Sequence, residues 1–201
     1  MARWGLISDV HGNLVALDEA LSVLAAAGAQ RLAFLGDYLG RGDPDGCVRR
    51  IREVADAVVV GNRDLDWQLR VSAESRAWVL GLPRTALVDS LLLAHGDARL
   101  TRGLGTSQVA RHFADAWRHL EQAGATVFAF GHSHHARTWR KASYEADAER
   151  VGDFVAVEPP YRYFLNVGTT GLPFPGKGGP SVALVDATQL RHVPLSWPTR
   201  G

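Results

Sequence analysis

Five short apolar runs in this chain each end on a metal-capable side chain or an amide. Trp4–Ser8 leads into Asp9, Leu32–Gly36 into Asp37, Ala57–Gly61 into Asn62, Leu91–Ala94 into His95 and Thr126–Gly131 into His132. None alternates apolar with polar residues, so each reads as a strand buried on both faces. Such strands belong to a sheet covered by helices. Ligands of open α/β sheets lie beyond the carboxyl ends of the strands. Segments remote in sequence can therefore converge on one site.

Helical patterns separate several of these runs. Leu14, Leu17, Leu21 and Leu24 recur at helical spacing, Asn13 is placed to cap them, and Gly28 follows where a C′ glycine belongs. Asp43-Pro44 reads as an N-cap with a first-turn proline, ahead of a stripe of Val48, Ile51 and Ala55. Ser72 caps a helix through Leu80, and Val109, Phe113, Trp117 and Leu120 line a helix from about Ser107 to Ala123. Thr85–Val88 and Leu91–Ala94 flank Asp89-Ser90 and read as a hairpin, so the sheet is mixed. In the C-terminal third, Phe154–Val157, Tyr161–Val167 and Ser181–Val185 read as strands between Pro/Gly turns. They are expected to form a second, more antiparallel sheet packed on the first. The length of 201 residues suits a single α/β domain over residues 1–201.

The run ends and their near neighbours supply Asp9, His11, Asp37, Asn62, His95, His132 and His134. Oxygen and nitrogen donors without thiolate suit Mn²⁺, Fe or Zn²⁺ better than Ca²⁺. The set is too large for one tetrahedral ion, whereas two ions sharing a carboxylate would use all of it. The D-x-H and H-x-H spacings put paired donors on one side of an extended backbone.

Ser8-Asp9-Val10-His11-Gly12-Asn13, Gly36-Asp37-Tyr38-Leu39-Gly40-Arg41-Gly42, Gly61-Asn62-Arg63-Asp64, His95-Gly96 and Gly131-His132-Ser133-His134 occur in that order. Together they resemble the motifs of the calcineurin-like metallophosphoesterase superfamily, especially its small bacterial phosphodiesterase branch. Leu165–Thr169 resembles the strand and turn that follow its last ligand. The resemblance implies two mixed sheets packed as a sandwich flanked by helices. It implies one ion on Asp9, His11 and His134, a second on Asn62, His95 and His132, and Asp37 bridging both. It also implies hydrolysis of a phosphoester by a bridging hydroxide, with Asn62 and Arg63 at the catalytic centre and Asp64 as an acidic neighbour of the ligands. Two divalent ions are expected, Mn²⁺ first, with Fe or Zn²⁺ as alternatives. The expected partner is a small phosphoester, with cyclic nucleotides and nucleotide-derived diesters first. Arg41 and His135 are candidate substrate contacts, and Arg99 and Arg102 lie after the His95 motif. His112 and His119 fall off their helix's apolar stripe and read as surface residues.

Two features depart from the family pattern. Arg63 stands where the third motif carries a histidine that assists the leaving group. Arginine stays protonated, so it can neutralise charge but cannot cycle a proton near neutral pH. The segment 142–160 is longer than in compact members and reads as an enlarged hairpin, the alternative being a substrate-facing flap.

The composition excludes other classes. With 22 Lys+Arg against 21 Asp+Glu the formal net charge is +1, which argues against bulk binding to nucleic acid or anionic membrane. Cys47 is the only cysteine, so neither an intrachain disulfide nor a cysteine-based zinc site is available. No uncharged apolar run reaches membrane-span length, and Leu6-Ile7 runs straight into polar residues instead of a secretory pattern. A cytoplasmic location is expected. The competing reading is a protein-interaction scaffold on the same fold with little hydrolytic activity. Its signature would be lost ligands, and every ligand position here is filled. A metallo-β-lactamase-like or amidohydrolase reading fits poorly, because His132-Ser133-His134-His135 lacks the further H-x-H-x-D-H pattern.

Overall fold

A computed structural model describes residues 1–96, 109–143 and 145–196, with the backbone alone for 109–115. In chain order the elements are β1 (Trp4–Ile7), α1 (Leu14–Ala26), β2 (Arg31–Phe34), α2 (Pro44–Val54), β3 (Ala57–Val58), α3 (Ala73–Leu80), β4 (Thr85–Val88) and β5 (Leu91–Ala94). They continue with α4 (Val109–Gln122), β6 (Val127–Phe130), β7 (Arg137–Lys141), β8 (Glu149–Val151), β9 (Phe154–Ala156), β10 (Arg162–Asn166), β11 (Ser181–Val185) and β12 (Gln189–Pro194). The caps are the expected ones. Asn13 accepts from the Ala16 N–H, Asp43 from Gly46 and Ser72 from Ser75, at the starts of α1, α2 and α3.

The strands form two mixed six-stranded sheets. The first has the order β3-β2-β1-β11-β12-β9 and the second β4-β5-β6-β10-β7-β8. β1, β2 and β3 run parallel, as do β5, β6 and β10. Trp4, Leu6, Leu35 and Val59 of the first sheet's side pack against Leu93, Val127, Tyr163 and Leu165 of the second. The outer face of the first sheet meets α1 and α2 through Ile7, Phe34, Leu17, Leu24 and Ile51. That of the second meets α4 through Phe128, Phe164, Ala116 and Leu120. This is the expected sandwich flanked by helices, and burial on both faces explains why the central runs lack alternation. Among the described residues no helix is long and apolar enough to cross a membrane.

The C-terminal third departs from expectation. Its strands do not form a sheet of their own. β11 and β12 extend the first sheet from β1, β9 closes its edge, and β10 sits in the middle of the second. Every residue of β11 is buried, which suits a strand between β1 and β12. The segment 142–160 does contain a hairpin turn, since β7 pairs antiparallel with β8, but the chain then crosses to β9 of the other sheet.

His192 on β12 links the sheets. Its Nε2 lies 3.1 Å from Thr138 Oγ1 on β7, and its Nδ1 is buried without a partner. Burial pulls the ring from 6.5 down to about 4, against the nearby Asp153. The unfolded chain therefore binds a proton at a pH where the folded one does not. The contribution is complete above the unfolded value and is lost as pH falls towards the folded one. Relative to His192→Gln, the protein should lose about 2 kcal/mol between about pH 7 and pH 4.5. Urea unfolding of both proteins at the two pH values checks this; parallel pH dependences would refute it.

Candidate metal centre

Each sequence-identified donor lies at a strand end where the two sheets meet. Asp9 and His11 follow β1, Asp37 follows β2 and Asn62 follows β3, all from the first sheet. His95 follows β5, and His132 and His134 follow β6, from the second. Two groups result, Asp9 with His11 and His134, and Asp37 with His95 and His132. Within each group the potential ligand atoms lie within 4.8 Å of one another. Both groups draw on both sheets.

The backbone is bent hard to make these groups. The non-glycine residues with left-handed φ among the described residues are Asp9, His11, Asp37, His132, His134 and Asp89. All but Asp89, which turns the β4–β5 hairpin, are candidate ligands. Non-glycine residues rarely adopt this region, and the strain is held by surrounding contacts. Two glycines permit the closeness. A Cβ on Gly61 would run into the backbone and carboxylate of Asp37, and one on Gly131 into Ser8 and Asp9.

Each carboxylate has one oxygen tied to protein and one turned to the donors. Asp9 Oδ2 accepts from Ser8 Oγ at 2.6 Å and from the His132 N–H at 2.9 Å. Asp9 Oδ1 is buried with no hydrogen-bond partner and faces His134 Nε2 at 3.0 Å and His11 Nε2 at 3.6 Å. Asp37 Oδ1 accepts the Arg63 N–H at 2.7 Å. Asp37 Oδ2 lies 3.3 Å from His95 Nε2 and 3.9 Å from His11 Nε2, within reach of both groups. The histidines are oriented from behind: Nδ1 of His95 meets Leu35 O at 2.7 Å, and Nδ1 of His134 meets Leu172 O at 2.6 Å. A ring that gives its Nδ1 proton to a carbonyl presents an Nε2 lone pair to the centre. Asn62 Oδ1 lies 2.7 Å from His132 Nδ1 and 3.1 Å from His95 Nε2, which places the amide in the second group.

The electrostatics call for positive charge here. Burial opposes ionisation of Asp9, but His95, His11 and His134 hold its carboxyl well below the usual range. Burial also disfavours a charged His95 ring, yet Asp37 and Asp9 bring it up to about 10. His134 is raised in the same way against its burial, chiefly by Asp9. Lone pairs converging around a buried, unpartnered carboxylate oxygen suit divalent cations, and the O/N donor set suits Mn²⁺, Fe or Zn²⁺.

The sequence of this chain matches the calcineurin-like phosphoesterase superfamily domain over residues 3–190. The chain belongs to that superfamily. It is 26% identical over 206 residues to an uncharacterized protein of Methanocaldococcus jannaschii, covering 92% of this chain and 83% of that one. It is 33% identical over 112 residues to phosphodiesterase YfcE of Escherichia coli, covering 51% of this chain and 58% of YfcE. A metallophosphoesterase from Sphaerobacter thermophilus has the same fold, with a TM-score of 0.75 at 24% identity over 96% of this chain and 89% of that one. As a calcineurin-like phosphoesterase, the chain is expected to work on phosphoesters with divalent metal.

The two donor groups open into a cavity of about 430 Å³ lined by His11, Asp37, Asn62, His132 and His134, and also by Arg41, Arg63, Leu172 and Phe174. Arg41 is exposed there and forms no ion pair among the described residues. Arg63 pairs with Asp66 at 3.1 Å and keeps about half its side chain exposed. His135 is half-buried and does not line the cavity; burial, with Arg137, Arg150 and Lys177 nearby, lowers its pKa. His119 is exposed on α4, whereas Arg99, Arg102 and the His112 side chain lie outside the described residues.

Sequence reading understated Asp64. It is fully buried and accepts the N–H groups of Asp37, Tyr38, Leu39 and Gly61 at 2.8–3.0 Å. One carboxylate thus fixes the turn that carries Asp37. Burial and the adjacent Asp37 charge push it up to about 6, despite those donors. Leu172 and Phe174 belong to no motif of the sequence. Their only signal was the presence of large apolar residues in the Gly/Pro-rich stretch 171–180.

Proposed function

We propose that this protein is a phosphodiesterase with a dinuclear centre, one ion held by Asp9, His11 and His134, the other by Asn62, His95 and His132, and Asp37 shared. The observation that carries this is the pair of convergent donor groups meeting at Asp37. Bound there, two divalent ions supply Lewis acidity and a hydroxide nucleophile near neutral pH. Mn²⁺ is the first candidate, then Fe or Zn²⁺. The chain's own part is positioning. Ser8 and the His132 N–H fix Asp9, the Arg63 N–H and Asp64 fix Asp37, and backbone carbonyls fix His95 and His134. Asn62 offers its oxygen to the second group, leaving its Nδ2 donors for a phosphoryl oxygen that gains charge in the transition state. Arg41 and Arg63 on the cavity wall supply further positive charge to the phosphate.

A diester suits the site better than a phosphoprotein, because the third motif departs from the protein-phosphatase form. Cyclic nucleotides and nucleotide-derived diesters are the first substrates to try. Metal-free protein supplied separately with Mn²⁺, Mg²⁺ and Zn²⁺ should hydrolyse linear or cyclic diesters in preference to phosphomonoesters. Protein that takes up two ions and hydrolyses none of them would favour the scaffold reading instead.

Arg63 makes a further prediction. A histidine general acid contributes about 10²–10⁴-fold where a leaving group needs its proton. Arg63 offers only hydrogen bonds and charge, so kcat/KM should fall steeply as leaving-group pKa rises. Arg63→His should flatten that dependence. Diesters of graded leaving-group pKa, assayed at fixed metal and pH, give the two slopes. Equal slopes with chemistry rate-limiting would remove Arg63 from the leaving-group position.

A further inference from the structure

The cavity is unequal at its two ends. At one end Arg63, ion-paired with Asp66, adjoins Asn62 and the group of Asp37, His95 and His132, so that end is charged and polar. At the His134 end Leu172 and Phe174 add apolar surface to the wall, beside Arg41, whose backbone packs against Gly12. Phe174 stacks on the His134 ring, with centroids 4.6 Å apart and planes 19° from parallel, and 42% of Phe174 stays exposed. Leu172 beside it is 40% exposed, while its carbonyl holds His134 Nδ1. Lys177 Nζ lies 5.3 Å from the Phe174 centroid and donates to Ser133 O at 2.9 Å, which ties the ring to the backbone next to His134.

Of the exposed large hydrophobic side chains among the described residues, only Leu172 and Phe174 line this cavity, where they form a small apolar patch beside a charged centre. The cavity volume, about 430 Å³, is in the range of small-molecule sites and leaves room beyond a phosphoryl group. With His134 parallel to it and Lys177 Nζ over it, the Phe174 ring still leaves 42% of the residue exposed, and a flat ligand group covers such a ring better than a flexible chain does. We propose that Phe174, flanked by Leu172, determines specificity by packing against a planar aromatic substituent of the phosphoester, a nucleobase or an aryl group. This rests on the phosphodiesterase reading of the cleft. A diester carries two substituents, and the unequal ends would orient it, with the aromatic one beside His134 and the other towards Arg63.

The test compares adenosine 5′-monophosphate with ribose 5-phosphate, in which a hydroxyl replaces the base, as ligands of Mn²⁺-loaded protein by calorimetry. Wild type should bind the nucleotide about tenfold more tightly. Phe174→Ala should abolish that preference by weakening the nucleotide alone, and Phe174→Trp should keep it. Elemental analysis shows whether the ions are still held. If Phe174→Ala releases them, Phe174→Leu, which still covers His134 but offers no aromatic face, takes its place. Equal affinities in wild type, or equal weakening of both ligands in the metal-replete variant, would overturn the proposal. Diester hydrolysis by the same samples judges the enzymatic reading separately. Base-selective binding without hydrolysis leaves Phe174 its role and refutes the activity; hydrolysis without base selectivity does the reverse.

Discussion

Asp37→Asn should lower kcat/KM for diesters at least about a thousandfold while the protein stays folded. Asp37 Oδ2 is the atom within reach of both His11 and His95, so neutralising this side chain weakens both donor groups. The fold has little to lose. The amide can still accept the Arg63 N–H through its oxygen, and removing the charge relieves its repulsion with buried Asp64. The same change removes the attraction between Asp37 and His95, so the two effects oppose each other and the melting temperature of metal-free Asp37→Asn should stay close to that of metal-free wild type. Metal content by elemental analysis should drop. A variant that keeps both ions and most of its activity would remove Asp37 from the bridging role.

Asp64→Ala should do the opposite and act first on the fold. Four backbone N–H groups around residues 37–39 and 61 would lose their acceptor inside the protein. Leaving buried donors unsatisfied in a charge-assisted network costs about 3–5 kcal/mol. In a domain of this size that lowers the melting temperature by roughly 10 °C. Activity should fall as well, because the turn holding Asp37 loses its anchor. Thermal unfolding of metal-free protein separates the two aspartates: one variant loses ions without losing stability, the other loses stability even with no ions present. A metal-free Asp64→Ala protein as stable as wild type would show that water or a local rearrangement replaces the carboxylate.

Much of the site was legible because its residues are unusual where they stand. An aspartate, asparagine or histidine at the end of every buried run is hard to explain by packing, and the paired spacings of Asp9 with His11 and of His132 with His134 add geometry to composition. The helices were legible through local chemistry, such as Asn13 at one cap and Asp43-Pro44 at another. What could not be read depends on distant partners. Nothing in Ser181–Val185 says that it pairs antiparallel with Trp4–Leu6 and not with its neighbour β10. The left-handed turns at Asp9, His11, Asp37, His132 and His134 are equally silent, because these residue types tolerate that conformation without requiring it. Asp64 looked like one more acidic residue of the motif until its donors were seen. Phe174 looked like a loop residue until its ring was found against His134.

Neither sheet alone contains a complete donor group. The first supplies Asp9 and His11 without His134, and the second supplies His95 and His132 without Asp37. A chain that has formed only one sheet, or none, therefore has no site of comparable affinity. With ions held as proposed, their binding free energy goes almost wholly to the native state, as RT ln(1 + [L]/Kd), or about 4 kcal/mol per site at a thousandfold excess over Kd. Free-ion activity then adds to the stability that the fold has without metal, and a chelator lowers the melting temperature to that of the metal-free protein.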